Sequence, residues 1–210
     1  MSKHTVYSEL EEKMNVYSHV FGFFLSILGF IILLIKNLDK TNLHILSGCI
    51  FTLSMIFLYF SSANYHYATD KKKRFRLKIV DHCAIYVLIA GSYTPYPLVT
   101  LINSSGILLF SIAWAFALIG ICLKLLFTGR FKVFSTLIYL AMGWMVIFFI
   151  KPLMSLLPQD GFYLLALGGL FYTTGALIYL IKRIPLNHAI FHLFVLAGSI
   201  SHFLSIYWYV

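Results

Sequence analysis

The sequence predicts an all-α integral membrane protein: a bundle of seven transmembrane helices with a cytoplasmic N-terminus and an external C-terminus. Of its 210 residues, 60% are hydrophobic and only 11% are charged, whereas a soluble globular domain is about half apolar and a quarter charged. Two further observations support this prediction: long apolar runs in the sequence, and an uneven distribution of Lys and Arg among the loops. We expect one domain over residues 1–210, with residues 1–15 as a short cytoplasmic segment.

The number of helices follows from the apolar runs. A helix crosses the hydrocarbon layer with about 20 apolar residues. The chain has seven runs near that length, and they are continuous rather than alternating, which favours helices over strands. The runs are 17–35, 43–67, 79–101, 106–127, 133–150, 161–181 and 188–210.

The first and third runs carry signals of their own. The residues before the first run mix acidic and basic side chains, which is a poor signal-peptide pattern, so the run is expected to be retained. Gly22, Ser26 and Gly29 form a stripe of small residues on it, which is typical of close helix packing. Pro95 and Pro97 lie near the end of the third run, where a kink is expected.

The orientation follows from the loops. With seven helices, thirteen of the sixteen Lys and Arg residues lie on the side of the N-terminus and three on the other. Cytoplasmic loops carry such an excess, so the N-terminus is expected inside. Topology therefore explains the net charge of +9, and we expect no nucleic-acid partner, because no nucleic-acid-binding motif accompanies the charge. The three cysteines have no CxxC spacing and predict no disulfide framework.

Histidine and aspartate residues converge at one depth in this arrangement. His66 ends the second run, Asp81 begins the third, and His188 and His192 begin the seventh, so all lie near the cytoplasmic face. His188 and His192 are one helical turn apart and project from one helix face, as a bidentate metal grip requires. Ionisable groups within a membrane helix are costly and usually mark function.

These residue types predict a metal centre with an adjacent acid–base group. Three imidazoles leave a fourth tetrahedral position open, as in catalytic zinc sites. Asp81 is expected to orient a water or accept its proton. Ser62 lies one turn before His66 and is expected to hydrogen-bond the water or a substrate carbonyl. The alternative for any one of these residues is an interfacial or packing role.

Two other histidines on these runs have other expected roles. His202 lies fourteen residues after His188, about 21 Å along a helix, which is too far to join the site. His19 shares a helical face with Glu12, Asn15 and Gly22. These residues cap and pack the first helix, line the cavity or support the metal ligands, and we favour packing and support.

Four segments resemble the bacterial hemolysin III family, the prokaryotic branch of the progestin and adiponectin receptor family. They are Glu11–His19, Ser61–His66, Asp81–Pro95 and His188–His202. This family is similar to a wider group of membrane hydrolases that includes the alkaline ceramidases. The resemblance implies a multi-pass protein of the bacterial inner membrane with seven helices. It also implies zinc bound by His66, His188 and His192, with Asp81 and Ser62 nearby.

Three functions are compatible with these observations. The first is a zinc-dependent membrane hydrolase that cleaves an amide or ester bond of a lipid-like substrate near the cytoplasmic interface. The second is a cytolytic or pore-forming protein, although a pore needs a continuous polar lining. The third is a sensor or membrane-homeostasis protein with structural zinc. Membrane lipids are the expected partners, and homo-oligomerisation stays open. The basic loop 70–78 either binds anionic lipid or only sets the topology.

Overall fold

The computed structural model describes residues 7–128 and 132–210, and in these ranges every regular element is helical. The short connections make helices that are consecutive in sequence neighbours in space. The elements are α1 Glu9–Asn37, α2 Asn42–Tyr67, α3 Lys71–Tyr93, a π-helical turn Tyr96–Thr100, α4 Gly106–Phe127, α5 Lys132–Gly143, a 3₁₀ turn Met145–Phe149, α6 Ile150–Leu156, α7 Gln159–Leu180 and α8 Asn187–Tyr209.

The predicted runs correspond to these elements, with three differences in their bounds. Helix α3 covers 71–93, whereas the predicted third run covers 79–101. Helix α1 begins at Glu9, two turns before the predicted run, because Ser8 caps it and three glutamates occupy its first turn. The fifth run is interrupted by the 3₁₀ turn and then continues as α6, so the helical stretch ends at Leu156 rather than at residue 150.

Six helical stretches are long and apolar enough to cross a membrane within the described ranges. They are α1, α2, α4, the α5–α6 stretch, α7 and α8. Helix α3 corresponds to the predicted third run and is not among the six. Its N-terminal third is the basic segment Lys71–Lys78, which lowers its mean hydropathy. Helix α3 nevertheless packs between α2 and α4, in the order that the sequence predicts.

The bundle has an apolar surface, and its interior combines an apolar core with many buried polar side chains. Large apolar side chains such as Phe24, Phe148 and Trp208 are exposed on its surface, whereas the interior includes many serines, threonines, tyrosines and histidines. Exposure of so much apolar surface to water is energetically unfavourable, whereas contact of the same surface with lipid chains is not. This polarity is that of a protein that lies in a bilayer.

Small residues bring the first two helices together, as predicted. Gly22, Ser26 and Gly29 are all buried on α1. A Cβ atom on Gly22 would lie 2.8 Å from the Tyr59 ring of α2, closer than real side chains approach. Glycine is therefore needed for the approach of α1 to α2 that positions the candidate site.

Helix α8 packs against both α1 and α7 and so joins the two ends of the chain. The Asn187 side chain donates hydrogen bonds to the carbonyls of Ile178, Tyr179 and Ile181 at the end of α7. The Ile178 carbonyl also accepts from the backbone N–H of Ile181, so Asn187 adds side-chain hydrogen bonds to the end of α7. Leu186, with φ of 55°, makes the sharp turn just before α8. The first turn of α8 is thereby held against the end of α7.

Candidate metal centre

Three histidines from two helices meet in the interior. His66 lies at the end of α2, and His188 and His192 lie in the first two turns of α8. They are only 3%, 7% and 2% exposed. Nε2 of His188 lies 3.0 Å from Nε2 of His66 and 3.0 Å from Nε2 of His192. Ligand atoms of all three lie within 4.8 Å of one another, so the triad could hold a metal ion.

The opposite ring nitrogens each have a partner outside the triad. Nδ1 of His66 lies 2.7 Å from Oε2 of Glu12 and 3.3 Å from the Asn15 amide. Nδ1 of His192 lies 3.3 Å from the backbone oxygen of Asn15. Nδ1 of His188 lies 3.2 Å from the Tyr7 hydroxyl. Metal-binding histidines usually have such a partner on the other nitrogen, because it fixes the tautomer and the ring orientation.

The donor chemistry fits a cation. A carboxylate and a carbonyl only accept hydrogen bonds, so Nδ1 of His66 and Nδ1 of His192 carry the protons. The Nε2 atoms of His66 and His192 are then unprotonated and direct their lone pairs at His188. His188 can donate a hydrogen bond to only one of them. In a tetrahedral zinc site, bonds of about 2.05 Å place two nitrogens about 3.3 Å apart, close to the observed spacing. A cation between the rings would use all three lone pairs.

The start of the chain closes the triad from one side. The Tyr7 ring stacks on His188 with ring centroids 4.7 Å apart. Burial raises the pKa of the Tyr7 phenol, so the hydroxyl stays neutral and can donate or accept. Oε1 of Glu11 accepts a hydrogen bond of 3.1 Å from the His188 backbone N–H, which has no partner within its own helix.

Glu12 links the triad to the third helix. Its second carboxylate oxygen accepts from Arg74 of α3, and Arg74 also donates to the backbone oxygen of Ala68, 3.1 Å away. The arginine compensates the charge of the glutamate, so Glu12 can remain ionised beside His66. The contact ties together α1, α2 and α3.

His19 lies directly against the triad without being part of it. Its ring is parallel to that of His192, with centroids 3.6 Å apart and planes 8° apart. It packs edge-on against Tyr59 as well. These contacts fit the favoured prediction, a residue that packs against and supports a ligand. His19 also lines the cavity described next.

A cavity of about 420 Å³ opens beside the triad. His188, His192, Asp81 and Ser62 line it. Asp81 lies outside the close group of ligand atoms. The structure thus places all five predicted site residues together, with the histidines converging and Asp81 and Ser62 beside them.

Sequence reasoning missed several residues of this site. It did not identify Tyr7, Glu11 or Arg74, and it left the role of Glu12 open. The common helical face of Glu12, Asn15 and His19 was a usable signal, because such a polar face on a membrane helix points inward. Tyr7 and Arg74 gave no comparable signal, since aromatic and basic residues are common at any membrane interface.

Comparisons with known proteins agree with the resemblance. A sequence model of the family described as Haemolysin-III related matches residues 7–203. The chain is 45% identical over 201 residues to the Hemolysin-3 homolog of Bacillus subtilis (strain 168), which covers 95% of this chain and 94% of that protein. It is 42% identical over 201 residues to Hemolysin-3 of Bacillus cereus, covering 95% and 92%. Identity to the human Monocyte to macrophage differentiation factor is 28% over 208 residues, covering 95% and 84%.

Proposed function

This chain belongs to the Haemolysin-III related family, and we propose that it is a zinc-dependent membrane hydrolase. Its relatives and the six long apolar helices within residues 7–128 and 132–210 make it a multi-pass bacterial membrane protein. The substrate is a lipid-like molecule with an amide or ester bond. The observation that carries the proposal is the convergence of three Nε2 atoms whose opposite nitrogens are held by other residues.

The proposed topology places this chemistry near the cytoplasmic face. We take α3 with the following π-helical turn as the seventh span, and the excess of Lys and Arg supports a cytoplasmic N-terminus. The triad then lies near the inner leaflet, where α2 ends and α8 begins. A lipid can reach a cavity at that depth sideways from the bilayer.

Each residue of the site has a separate role in the proposed hydrolysis. His66, His188 and His192 would hold zinc, which when bound polarises a carbonyl and makes water acidic near neutral pH. Asp81 accepts a proton at its carboxylate and returns it to the leaving group. Ser62 lines the same cavity and hydrogen-bonds the water or the substrate carbonyl. Glu12 and Asn15 keep the imidazole rings oriented, which is required for a preorganised site.

Two measurements on purified protein test the proposal. Elemental analysis should find zinc near one atom per chain in the wild type and much less in a His188→Ala/His192→Ala double variant. Incubation with a panel of amide- and ester-linked lipids should release fatty acid, and Asp81→Asn should slow the release by about 10²- to 10⁴-fold while zinc is retained. Wild-type protein without stoichiometric metal would refute the proposal.

The alternative is a zinc with a purely structural role, and the same two measurements distinguish it from a catalytic zinc. In that case, the histidine variants would lose folding stability together with the metal, and Asp81→Asn would change no turnover because there is none. The cavity beside the triad favours catalysis, because a purely structural zinc site is closed by four protein ligands, and within the described ranges the close group contains three histidines.

A further inference from the structure

Lys124 is a buried cation that the proposed chemistry does not use. It lies near the end of α4 and is only 6% exposed. Its ammonium group donates to the Ser135 hydroxyl of α5 at 2.7 Å and lies 5.6 Å from the centre of the Tyr139 ring. An ammonium has three donors, so this one has capacity beyond Ser135. Lys124 lines the same cavity as His188 and His192.

The chain itself supplies no anion for this cation. All seven acidic residues lie in the described ranges. The ion pairs found there join Lys13 to Glu9, and His66 and Arg74 to Glu12. Asp81 has Lys78 as its neighbouring lysine. Within 4 Å, Lys124 thus has no carboxylate partner among the described side chains.

The burial of such a cation is energetically unfavourable unless an anionic group compensates its charge. A buried ammonium without a counter-charge costs several kcal/mol. Charged residues within membrane segments usually face a cavity and mark the route of a substrate or ion. A long lysine side chain one turn from its helix end could instead extend to the interface. Lys124 is instead only 6% exposed, with its ammonium between Ser135 and the Tyr139 ring.

The neighbourhood supports binding of an anion rather than of a neutral group. Lys78 and Lys182 line the same cavity. Asp81 partly compensates Lys78, which leaves the cavity with an excess of positive charge. Apolar side chains, among them Leu88, Ile89 and Leu140, line it as well. Volume and lining match a ligand pocket that is mostly apolar with a few placed polar groups.

We propose that Lys124, assisted by Ser135, binds the anionic group of an amphiphile, a phosphate or carboxylate attached to an apolar chain that lies in the cavity. The inference rests on the proposed function in taking this cavity as the substrate site, and it narrows the substrate to an anionic lipid. Lys78 and Lys182 add attraction at the same cavity. A buried charge-assisted hydrogen bond contributes about 1.5–3 kcal/mol, equivalent to about a tenfold or larger change in affinity.

The test is lipid-dependent thermal stabilisation of the purified full chain in a non-ionic detergent. Dioleoyl phosphatidic acid and oleate are titrated as anionic amphiphiles, dioleoyl phosphatidylcholine as the net-neutral lipid, and inorganic phosphate as the free anion. A ligand that binds only the folded state raises the Tm in a saturable way. The variants are Lys124→Met, Lys124→Gln and Lys124→Arg, with Lys151→Met as the matched control. Lys151 is exposed on α6 and lies outside the cavity.

The wild type, Lys124→Arg and Lys151→Met should be stabilised by at least one anionic amphiphile, with apparent affinity at least about tenfold above that for phosphatidylcholine. Lys124→Met and Lys124→Gln should lose that preference. Without added lipid, Lys124→Met should melt no lower than the wild type, because it removes an uncompensated buried charge. Gln keeps a donor for Ser135, so Lys124→Gln still tests the charge if Lys124→Met does not fold.

Three results would overturn the inference. One is equal stabilisation of Lys124→Gln and the wild type by the anionic amphiphiles. Another is a lower Tm of Lys124→Met without lipid combined with an unchanged lipid preference, which would assign Lys124 a structural role between α4 and α5. The third is stabilisation by inorganic phosphate as large as by phosphatidic acid, which would make the ligand a free anion. Zinc is measured on the same samples, so failure of the metal proposal is seen separately from failure of lipid binding.

Discussion

Helix α8 carries histidines in two regions that differ in what surrounds them. In its first turns, Nε2 of His188 lies against Nε2 of His192 and against Nε2 of a third imidazole, His66. Near its other end, His202 is buried alone, with Nε2 3.2 Å from the backbone oxygen of Leu165 and its ring edge-on to Tyr172. Both regions lie on one polar stripe of the same helix. Burial of a histidine therefore does not distinguish a candidate metal ligand from a packing residue, whereas convergence of ring nitrogens identifies the candidate.

The second region is a network of neutral hydroxyls. The Ser199 hydroxyl accepts from the Tyr59 hydroxyl at 2.8 Å and lies 2.9 Å from that of Tyr172. Gly168 leaves room for His202, since a Cβ atom there would lie 2.1 Å from its ring. The hydroxyls here pair with one another, and within the described residues His202 belongs to no group of converging ligand atoms. The region therefore joins α2, α7 and α8 by hydrogen bonds and packing.

The sharpest test of the comparison replaces one histidine of each region by alanine, in two separate variants. His192→Ala should lower metal affinity by more than about 100-fold, because loss of a ligand costs more than loss of an outer partner, which costs about 10- to 100-fold. His202→Ala should keep the metal and lower only the Tm. Elemental analysis and thermal melting of both variants check this, and equal metal loss in the two would remove the distinction.

Asp81 tests whether the first region is catalytic. Asp81→Asn preserves the shape of the side chain, and Asp81 lies outside the group of ligand atoms, so zinc content should stay near that of the wild type. Turnover of the lipid substrate should fall by about 10²- to 10⁴-fold, the usual contribution of a general acid–base group. The measurement is the rate of fatty-acid release at equal zinc content. A variant that keeps the wild-type rate would exclude Asp81 from proton transfer.

Glu12 tests the outer partners of the triad. Glu12→Gln removes the charge beside Nδ1 of His66 and should weaken metal binding by about 10- to 100-fold. Glu9→Gln is the matched control, because Glu9 lies on the same helix but pairs with the exposed Lys13. Competition with a chelator measures both affinities. If the two variants are alike, Glu12 does not support the metal.

The smallest effect is expected in the hydroxyl network. Ser199→Ala should lower the free energy of unfolding by about 0.5–1.5 kcal/mol, the usual contribution of a hydrogen bond, with no change in zinc content. Ser155→Ala, on the exposed face of α6, should be neutral. Denaturation in mixed micelles provides the comparison. Loss of zinc in Ser199→Ala would show that the two regions are coupled.

Several features were predictable because they are local. The apolar runs place the helices, and the i, i+4 spacing of His188 and His192 puts both on one helix face. Loop charges predicted that His66 lies at the same level, and the three histidines do lie together. The early start of α1 at Glu9 was missed because its first turns are charged, and a hydropathy pattern counts only the apolar part of a helix.

The sequence by itself determined that this chain is helical and belongs in a membrane, and it identified which side chains are too costly to bury without a purpose. Only the tertiary structure decided that Glu12 and Tyr7 hold the triad from outside, that His202 packs alone, and that Lys124 has no carboxylate beside it. Hydropathy and helical period depend on neighbours within a few turns. A hydrogen bond depends instead on a separation of about 3 Å between residues far apart in the chain, which only the packed helices set.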